Sequence, residues 1–244
     1  MSINSLSGEK STRIGYRHSD YQIRRKILRF LLKYIGFTLL ARFRSTESME
    51  NFPATGPALL MINHIAFIDP ILVLHVVPRN IVPLAKIEVY DEPYFGIFPR
   101  IWGVIPVKRD ELDRNAVRQV LEVLDAGEIV LVAPEGTRAP QLGEAKEGIA
   151  YLGSRSGAPI VPVAVDGTEG FPMLRPFGAW HSPGATVKFG RPFRYKAEYT
   201  RAGRDQLRLM TDEAMYVLAA MLPEKRRGIY NDLSKATTQT IEWV

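Results

Sequence analysis

The chain has 244 residues, of which 46% are hydrophobic and none is cysteine. That length suits one large α/β domain or two small ones with a sizeable core, while the lack of cysteine excludes disulfides, thiol catalysis and cysteine-ligated metals. The four histidines form no HExxH pattern, so a zinc site is not expected. We expect neither a metal nor another cofactor.

The net charge of +6 is unevenly distributed along the chain. Residues 1–44 hold ten Lys and Arg against two acidic side chains, giving +8, whereas the remaining 200 residues hold 22 basic and 24 acidic side chains, giving −2. The basicity therefore belongs to the N-terminal part. We expect a basic arm over residues 1–44 and one catalytic domain over residues 45–244, entered through a Pro- and Gly-containing linker at 45–57.

Within the arm, residues 20–42 have the pattern of an amphipathic helix. Arg25, Arg29 and Lys33 recur at every fourth position beside an apolar row. The apolar row consists of Ile23, Ile27, Leu31 and Ile35. The uncharged run that follows is far shorter than the ~20 apolar residues of a membrane span, and the N-terminus lacks the apolar core of a signal peptide. We therefore expect no transmembrane helix.

A basic helix with a broad apolar face favours the interface of an anionic membrane, and the basic row is expected to face the lipid headgroups. The alternatives are packing on the chain's own domain or binding to nucleic acid, and the second is weaker because no known nucleic-acid-binding motif is present. A cytosolic location is compatible with the absence of disulfides. We expect a peripheral protein on the cytoplasmic face of a membrane, with no nucleic-acid partner.

The first apolar run of the domain, Ala58–Ile62, has the length and composition of a buried strand. The stretch Asn-His-Ile-Ala-Phe-Ile-Asp-Pro, residues 63–70, follows it. Because Pro70 suits the first helical position and disfavours helical geometry in the residue before it, Asp69 is predicted to be the N-cap of a short helix over residues 71–77.

The loop between this strand and this helix holds His64 and Asp69, five positions apart. If the loop folds the two together, the carboxylate accepts one ring N–H and the other ring nitrogen can act as a base. These are the base and the orienting group of a catalytic triad without a serine or cysteine nucleophile, so the substrate would supply the nucleophile. The alternative is a packed core histidine beside an aspartate that only caps the helix.

Alternating strands and helices predict an α/β fold with a largely parallel central sheet flanked by helices. The predicted strands are residues 81–85, 103–109, 129–133 and 159–165, with 187–190 as an edge strand. The predicted helices are residues 115–126, 149–156 and 211–222, and residues 225–244 are predicted to form a polar tail.

Residues 134–138, Pro-Glu-Gly-Thr-Arg, follow a predicted strand. Glycine permits close backbone approach to a ligand, threonine offers a hydroxyl, and arginine offers a planar fork suited to phosphate. Arg109 and Arg138 both leave the C-terminal ends of predicted strands, as His64 does, so we expect all three at one crevice. Glu135 either positions Arg138 or binds the substrate, and the sequence leaves both open.

Four blocks of residues occur in an order and spacing that resemble the glycerolipid acyltransferases. The blocks are Asn63-His64 with Asp69-Pro70, residues 103–109, residues 134–138, and residues 160–163. Over residues 45–195 the sequence closely resembles the 1-acylglycerol-3-phosphate acyltransferase (lysophosphatidic acid acyltransferase) family. The pair of His64 and Asp69 alone is a weak signal, whereas four blocks in order are a specific one.

The resemblance implies that residues 45–244 are an acyltransferase domain. It implies transfer of a fatty acyl group from acyl-CoA or acyl carrier protein, as co-substrate, to the free hydroxyl of lysophosphatidate, which gives phosphatidic acid. It implies His64 as general base and Asp69 as its partner. The residues it matches to the acceptor-phosphate site are Arg109, Glu135, Gly136, Thr137, Arg138 and Lys146.

The sequence departs from the family pattern at Ile65-Ala66, at Ala139 and at Ala145, where polar or aromatic residues are common. None of these departures removes a reacting group, but they leave the acceptor open. Glycerol 3-phosphate, another lysophospholipid and a glycolipid headgroup are the other acceptors. From a different class, the chain could be a peripheral lipid-binding protein that keeps the fold without the chemistry.

Overall fold

The computed structural model describes residues 17–36, 43–93, 96–108, 113–169 and 184–244. Within them the strands are β1 (Phe43–Glu47), β2 (Ala58–Ile62), β3 (Ile81–Lys86), β4 (Ile105–Val107), β5 (Ile129–Val132), β6 (Ile160–Asp166), β7 (Ala185–Phe189), β8 (Phe193–Tyr195) and β9 (Ile241–Trp243). The α-helices are α1 (Gln22–Leu31), α2 (Asp69–Val76), α3 (Ile97–Trp102), α4 (Arg114–Asp125), α5 (Gly148–Ser156) and α6 (Arg204–Met221).

These strands form one sheet in the order β1-β7-β6-β2-β5-β3-β4, with β8 beside β6 and β9 beside β8. Strand β2 is parallel to both of its neighbours, β5 and β6, and β3 is parallel to β5 and β4. The C-terminal ends of β2, β5, β3 and β4 therefore meet on one side of the molecule, where open α/β sheets bind ligands. The predicted α/β fold with a largely parallel central sheet is confirmed.

Apolar cores lie on both faces of the sheet, and β2 contributes to each. Leu59 and Met61 belong to the core that contains residues of α4, α5 and α6, whereas Leu60 and Ile62 belong to the core that contains residues of α2 and α3. The sequence of a strand that is buried on both faces is a continuous apolar run. This is why the sequence predicts β2 and β5 almost to the residue.

Two predictions about the β1 side of the sheet are wrong. Strand β7 is not an edge strand, because it pairs in parallel with β1 and antiparallel with β6. The predicted linker at 45–57 contains most of β1 and a 3₁₀ turn, Met49–Asn51. The alternating burial of β7 shows that one face of the strand is covered. Such a pattern does not reveal how many strands pair with β7, so an internal strand could be taken for an edge strand.

Helix α1 packs on the domain through Arg25 and Arg29, so the expectation that the basic row faces the lipid is wrong for these two residues, whereas Lys33 is exposed. Arg25 is fully buried; its Nε donates to the carbonyl of Trp102 at 2.8 Å and its Nη2 to that of Gly103 at 2.9 Å. Arg29 donates to the carbonyl of Val77 at 3.2 Å. A guanidinium group has five N–H donors and can bind several backbone carbonyls at once. These hydrogen bonds replace the hydration that the cation loses on burial.

The apolar side of α1 and of the turn after it faces outward instead. Ile23, Ile27 and Phe30 are 74%, 57% and 60% exposed, and Leu31 and Tyr34 are also exposed. Helix α3, which contacts α1, exposes Ile97 and Ile101. In the part of the chain that the structure describes, none of the helices has both the length and the apolar character needed to cross a bilayer.

The predicted polar tail is wrong, because the C-terminal segment packs on the domain. Strand β9 pairs with β8. The buried carboxylate of Glu213, on α6, binds the residues that precede β9. Glu213 accepts from the backbone N–H groups of Gln239 and Thr240 at 2.6 and 2.9 Å and from the hydroxyl groups of Thr237 and Thr240 at 2.6 and 2.5 Å. Polar residues in this segment are therefore internal partners of one carboxylate.

We predict that Glu213→Gln destabilises the protein in a pH-dependent way. Although burial opposes ionisation, the hydrogen bonds from Thr237, Thr240 and Gln239 together lower the pKa of Glu213. A lowered folded-state pKa stabilises the fold above the unfolded value of ~4.3, and this contribution is lost as pH falls through the folded value. Losing ~1.5–3 kcal/mol of charged hydrogen bonds should lower the melting temperature at pH 7 by ~3–12 °C.

The measurement is thermal unfolding followed by circular dichroism between pH 3 and pH 7. Glu242→Gln is the matched control, because Glu242 lies exposed on β9. The difference between wild type and Glu213→Gln should shrink toward the acid end of the range. Equal melting temperatures at pH 7 would contradict the prediction.

Candidate active site

The loop that carries His64 begins with an amide that extends the sheet. The paired register of β2 and β6 ends at Ile62 and Val163. Beyond it, Asn63 Nδ2 donates to the carbonyl of Val165 and Asn63 Oδ1 accepts from the N–H of Val165, both at 2.8 Å. The side chain thus takes the place of two main-chain bonds, and the backbone after it can leave the sheet. No role of its own was predicted for Asn63 from the sequence.

The carboxylate of Asp69 closes this loop. Its Oδ2 accepts from the backbone N–H groups of Ile65 and Ala66 at 2.6 and 2.7 Å. Helix α2 begins at Asp69, so the prediction that Asp69 is the N-cap is wrong: it is the first helical residue, and it binds the loop before it rather than the helix after it. The positive end of α2 still favours a carboxylate at this position.

The predicted pair of His64 and Asp69 is brought together. Nδ1 of His64 lies 3.1 Å from Oδ2 of Asp69. Since a carboxylate only accepts hydrogen bonds, the ring donates from Nδ1, and Nε2 is left as the acceptor. Asp69 is fully buried, whereas the His64 side chain is 19% exposed. This is the geometry of a base held by an orienting carboxylate.

The loop between β5 and α5, residues 133–147, holds the backbone of His64. Glu135 accepts from the N–H of His64 at 3.3 Å and from the N–H of Gly143 at 2.9 Å, and the carbonyl of His64 accepts from the N–H of Ala139 at 2.8 Å. Burial raises the pKa of Glu135, and its bonds to Gly143 and His64 partly offset that effect. Glu135 therefore does not join the predicted phosphate site. Its two carboxylate oxygens accept from the backbone N–H groups of His64 and Gly143 instead.

A cavity of about 870 Å³ opens at the C-terminal ends of β2, β5, β3 and β4, within the ~300–1,000 Å³ of typical ligand pockets. His64 forms part of its wall. Most of the remaining wall is apolar and includes Ile62, Phe67, Ile71, Leu74, Phe98, Val104, Val120 and Leu131. A base beside a large apolar space fits a substrate with a hydrocarbon chain.

Four residues of the predicted phosphate site line this same cavity: Gly136, Thr137, Arg138 and Lys146. Arg138 and Lys146 are exposed and so lie toward its opening. Gly136 has a φ of +64°, a conformation that residues with a Cβ rarely adopt. The convergence of His64 and Arg138 on one crevice is as predicted, while Arg109 lies outside the described residues.

The cavity wall contains two further cations, Lys86 and Lys108, for which no role in the site was predicted from the sequence. Lys86 ends β3 and Lys108 directly follows β4. Because β3 lies between β5 and β4 in the sheet, Lys86 stands between the strand that leads to Arg138 and the strand that leads to Lys108. The signal was present in the sequence, since a cation at or after the C-terminal end of a predicted strand is the feature that pointed to Arg109 and Arg138.

These groups define what the site can do. His64 can take a proton from a hydroxyl group or a water molecule at the cavity wall. The apolar walls can hold a hydrocarbon chain, and the cations toward the opening can bind an anionic group through charge-assisted hydrogen bonds.

Comparisons with known proteins identify related chains. A family model described as Acyltransferase matches residues 44–166. The sequence is 28% identical over 59% of this chain to the chloroplastic 1-acyl-sn-glycerol-3-phosphate acyltransferase BAT2 of Brassica napus, of which 44% is covered. It is 29% identical over 48% of this chain to the 1-acyl-sn-glycerol-3-phosphate acyltransferase of Bacillus subtilis, of which 60% is covered. The chain thus spans about half the length of these relatives.

Among solved structures, the fold is similar to that of the 1-acyl-sn-glycerophosphate (LPA) acyltransferase PlsC from Thermotoga maritima. The TM-score is 0.57 at 24% identity, and the match covers 88% of this chain and 83% of that one. This likeness shows a shared fold.

Proposed function

The chain belongs to the Acyltransferase family, and from this premise we propose that it transfers a fatty acyl group from acyl-CoA or acyl carrier protein to the free hydroxyl of 1-acylglycerol 3-phosphate, giving phosphatidic acid. The observation that carries the proposal is the hydrogen-bonded pair of His64 and Asp69 in the wall of a largely apolar cavity of about 870 Å³. The names of the relatives support the choice of lysophosphatidate as acceptor.

In the proposed reaction, Nε2 of His64 takes the proton of the acceptor hydroxyl as its oxygen attacks the thioester carbonyl. Asp69 keeps Nδ1 protonated and stabilises the positive charge that forms on the ring. The ester C–O bond forms, the thioester C–S bond breaks, and the proton passes from His64 to the leaving thiolate. Because the nucleophile belongs to the substrate, no acyl-enzyme forms, and the chemistry requires no metal or other cofactor.

The acceptor phosphate is proposed to bind at the opening of the cavity. Arg109, Arg138 and Lys146 with the backbone and hydroxyl of Gly136 and Thr137 form the site implied by the resemblance to the family. The sheet order supports adding Lys86, since β3 lies between β5 and β4. A phosphate bound between these strand ends would leave the acyl chains to the apolar walls.

We also propose that the protein attaches to an anionic membrane surface through the outer side of α1. Ile23, Ile27 and Phe30 are exposed there, and Arg24 and Lys26 are exposed among them. Each cation near an anionic leaflet contributes ~1 kcal/mol, to which the buried apolar area adds. The protein would then be peripheral, with its cavity close to the bilayer that holds its acceptor.

The alternatives make different predictions in one assay. Release of free thiol from acyl-CoA is measured with lysophosphatidate and then with glycerol 3-phosphate, another lysophospholipid or a glycolipid. Release with lysophosphatidate alone supports the proposal, and release with another acceptor replaces it. No release with any acceptor, together with vesicle binding, indicates a lipid-binding protein without the chemistry. Replacing acyl-CoA by acyl carrier protein in the same assay identifies the donor.

We predict that His64→Ala lowers turnover by ~10² to 10⁴-fold, because it removes the base. Asp69→Asn should also lower turnover, and it should lower the melting temperature because Ile65 and Ala66 lose part of their shared acceptor. Thiol release with a short-chain, water-soluble acceptor gives the turnover, and circular dichroism verifies the fold. A folded His64→Ala enzyme with wild-type turnover would contradict the mechanism.

We predict that Arg138→Ala raises the KM for the acceptor about tenfold or more, because a charged hydrogen bond contributes ~1.5–3 kcal/mol. Arg138→Lys should restore only part of the affinity, because lysine lacks the planar fork. Arg155→Ala is the control, since Arg155 lies exposed on α5. The decisive comparison is the KM for acceptor against the KM for donor. A change confined to the donor would assign Arg138 to the phosphates of the donor.

We predict that replacing Ile23, Ile27 and Phe30 together by Gln abolishes co-sedimentation with anionic vesicles while activity on a water-soluble acceptor remains. Substitution is more informative than truncation, because loss of Arg25 would remove the hydrogen bonds that it donates to the carbonyls of Trp102 and Gly103. Ile229→Gln, at an exposed isoleucine on the C-terminal segment, is the control. Binding of wild type should weaken as salt rises. Unchanged vesicle binding by the folded triple variant would reject α1 as the anchor.

A further inference from the structure

The C-terminal strap, residues 223–230, lies against the loop between β5 and α5. The N–H of Leu142 donates to the carbonyl of Arg226 at 2.8 Å, and the N–H of Ile229 donates to the carbonyl of Leu142 at 3.2 Å. Between them, Gly228 has a φ of +52°, and a Cβ there would lie 2.0 Å from the carbonyl oxygen of Leu142. The strap therefore contacts the loop through both backbone groups of Leu142, its N–H and its carbonyl.

The side chain of Arg226 adds three contacts that diverge from this point. It is 7% exposed, Nε donates to Oδ1 of Asp166 at 2.8 Å, and Nη1 donates to the carbonyl of Pro140 at 3.0 Å. Nη2 pairs with Glu169. One guanidinium thus joins the end of β6, the segment after it, and the loop after β5. A planar fork carries five donors on three nitrogens and can reach diverging partners, whereas an ammonium group carries its three donors on a single nitrogen.

Both structures that Arg226 joins support the backbone at His64. On one side, Val165, next to Asp166, forms the two hydrogen bonds to Asn63 that end β2. On the other side, Ala139, next to Pro140, donates to the carbonyl of His64. The same loop supplies Glu135, which accepts from the N–H of His64. Val165 and Ala139 are each adjacent in sequence to a residue that binds the guanidinium, Asp166 and Pro140 respectively.

We propose that Arg226 is a positioning residue for His64: it fixes the end of β6 relative to the loop after β5, and so sets where the imidazole stands in the cavity wall. Arg226 acts through other residues and has no role in proton transfer. The inference rests on the proposed function, in which His64 is the base. Its consequence is that the C-terminal strap is part of the active-site scaffold, although Arg226 lies 162 positions after His64 in the chain.

The test compares Arg226→Met and Arg226→Lys in the full-length chain with Lys225→Met, whose side chain is exposed on the neighbouring position. We expect Arg226→Met to lower kcat on a water-soluble acceptor by ~10- to 100-fold, since a displacement of about 1 Å has that effect, with little change in the KM for acceptor. Arg226→Lys should recover part of kcat, and Lys225→Met should retain it.

A second readout does not depend on activity. The ring resonances of His64 in nuclear magnetic resonance spectra, assigned by their loss in His64→Ala, should shift in Arg226→Met and stay in place in Lys225→Met. A contribution to folding alone would lower the melting temperature and leave both the resonances and the kcat of the folded enzyme at wild-type values. That result would overturn the proposal.

Glu169→Gln is the milder variant if Arg226→Met does not fold, because Glu169 is 49% exposed. It removes one charged partner of Arg226 and should lower kcat by a few-fold with a smaller shift of the His64 resonances. Wild-type kcat and resonances in Glu169→Gln would then overturn the proposal. If His64→Ala turns over like wild type, the proposed function fails, and the resonances of His64 still report whether Arg226 positions the ring.

Discussion

The site depends on one buried carboxylate oxygen. Oδ2 of Asp69 accepts from the N–H groups of Ile65 and Ala66 and lies 3.1 Å from Nδ1 of His64. A buried N–H without a partner costs ~1–3 kcal/mol, so the loop can leave the sheet only while this oxygen is in place. The contact that satisfies the turn is therefore also the contact that orients the imidazole. Folding of the loop and orientation of the His64 ring depend on the same oxygen, and residues that follow Asp69 line the cavity.

The parts of the fold that could be predicted from sequence are those that local pattern determines. Strands β2 and β5 are buried on both faces and are written as short apolar runs, and α4 shows its apolar side at helical spacing. The pair of His64 and Asp69 could be predicted because both residues lie in one short loop after such a strand. The rest depends on contacts between distant parts of the chain. Arg25 is buried because two carbonyls 77 and 78 positions away accept from it, and no local pattern contains that information.

The same distinction explains where the predicted site residues lie. Arg138 lines the cavity as expected, because the end of a parallel strand fixes the place of the residues that follow it. Glu135 follows the same strand but faces elsewhere, because its carboxylate binds the N–H of Gly143 eight positions later. A carboxylate serves a ligand and a backbone turn equally well, so residue type alone could not decide between them. The C-terminal segment was predicted to be a polar tail for a related reason. Its polar groups bind Glu213, which lies on another element, α6, and no local pattern shows that contact.

Gly228 allows the strap to be recognised from sequence alone. Its left-handed backbone and the 2.0 Å approach of a Cβ to the carbonyl oxygen of Leu142 leave glycine as the residue that fits this register. Arg226 and Gly228 together therefore form a three-residue signature, Arg-x-Gly, placed shortly after the last α-helix. Homologous chains can be sorted by it. Those that carry both residues can pack their C-terminal segment on the loop between β5 and α5 in the same way, and those with a side chain in place of the glycine must support that loop by different contacts.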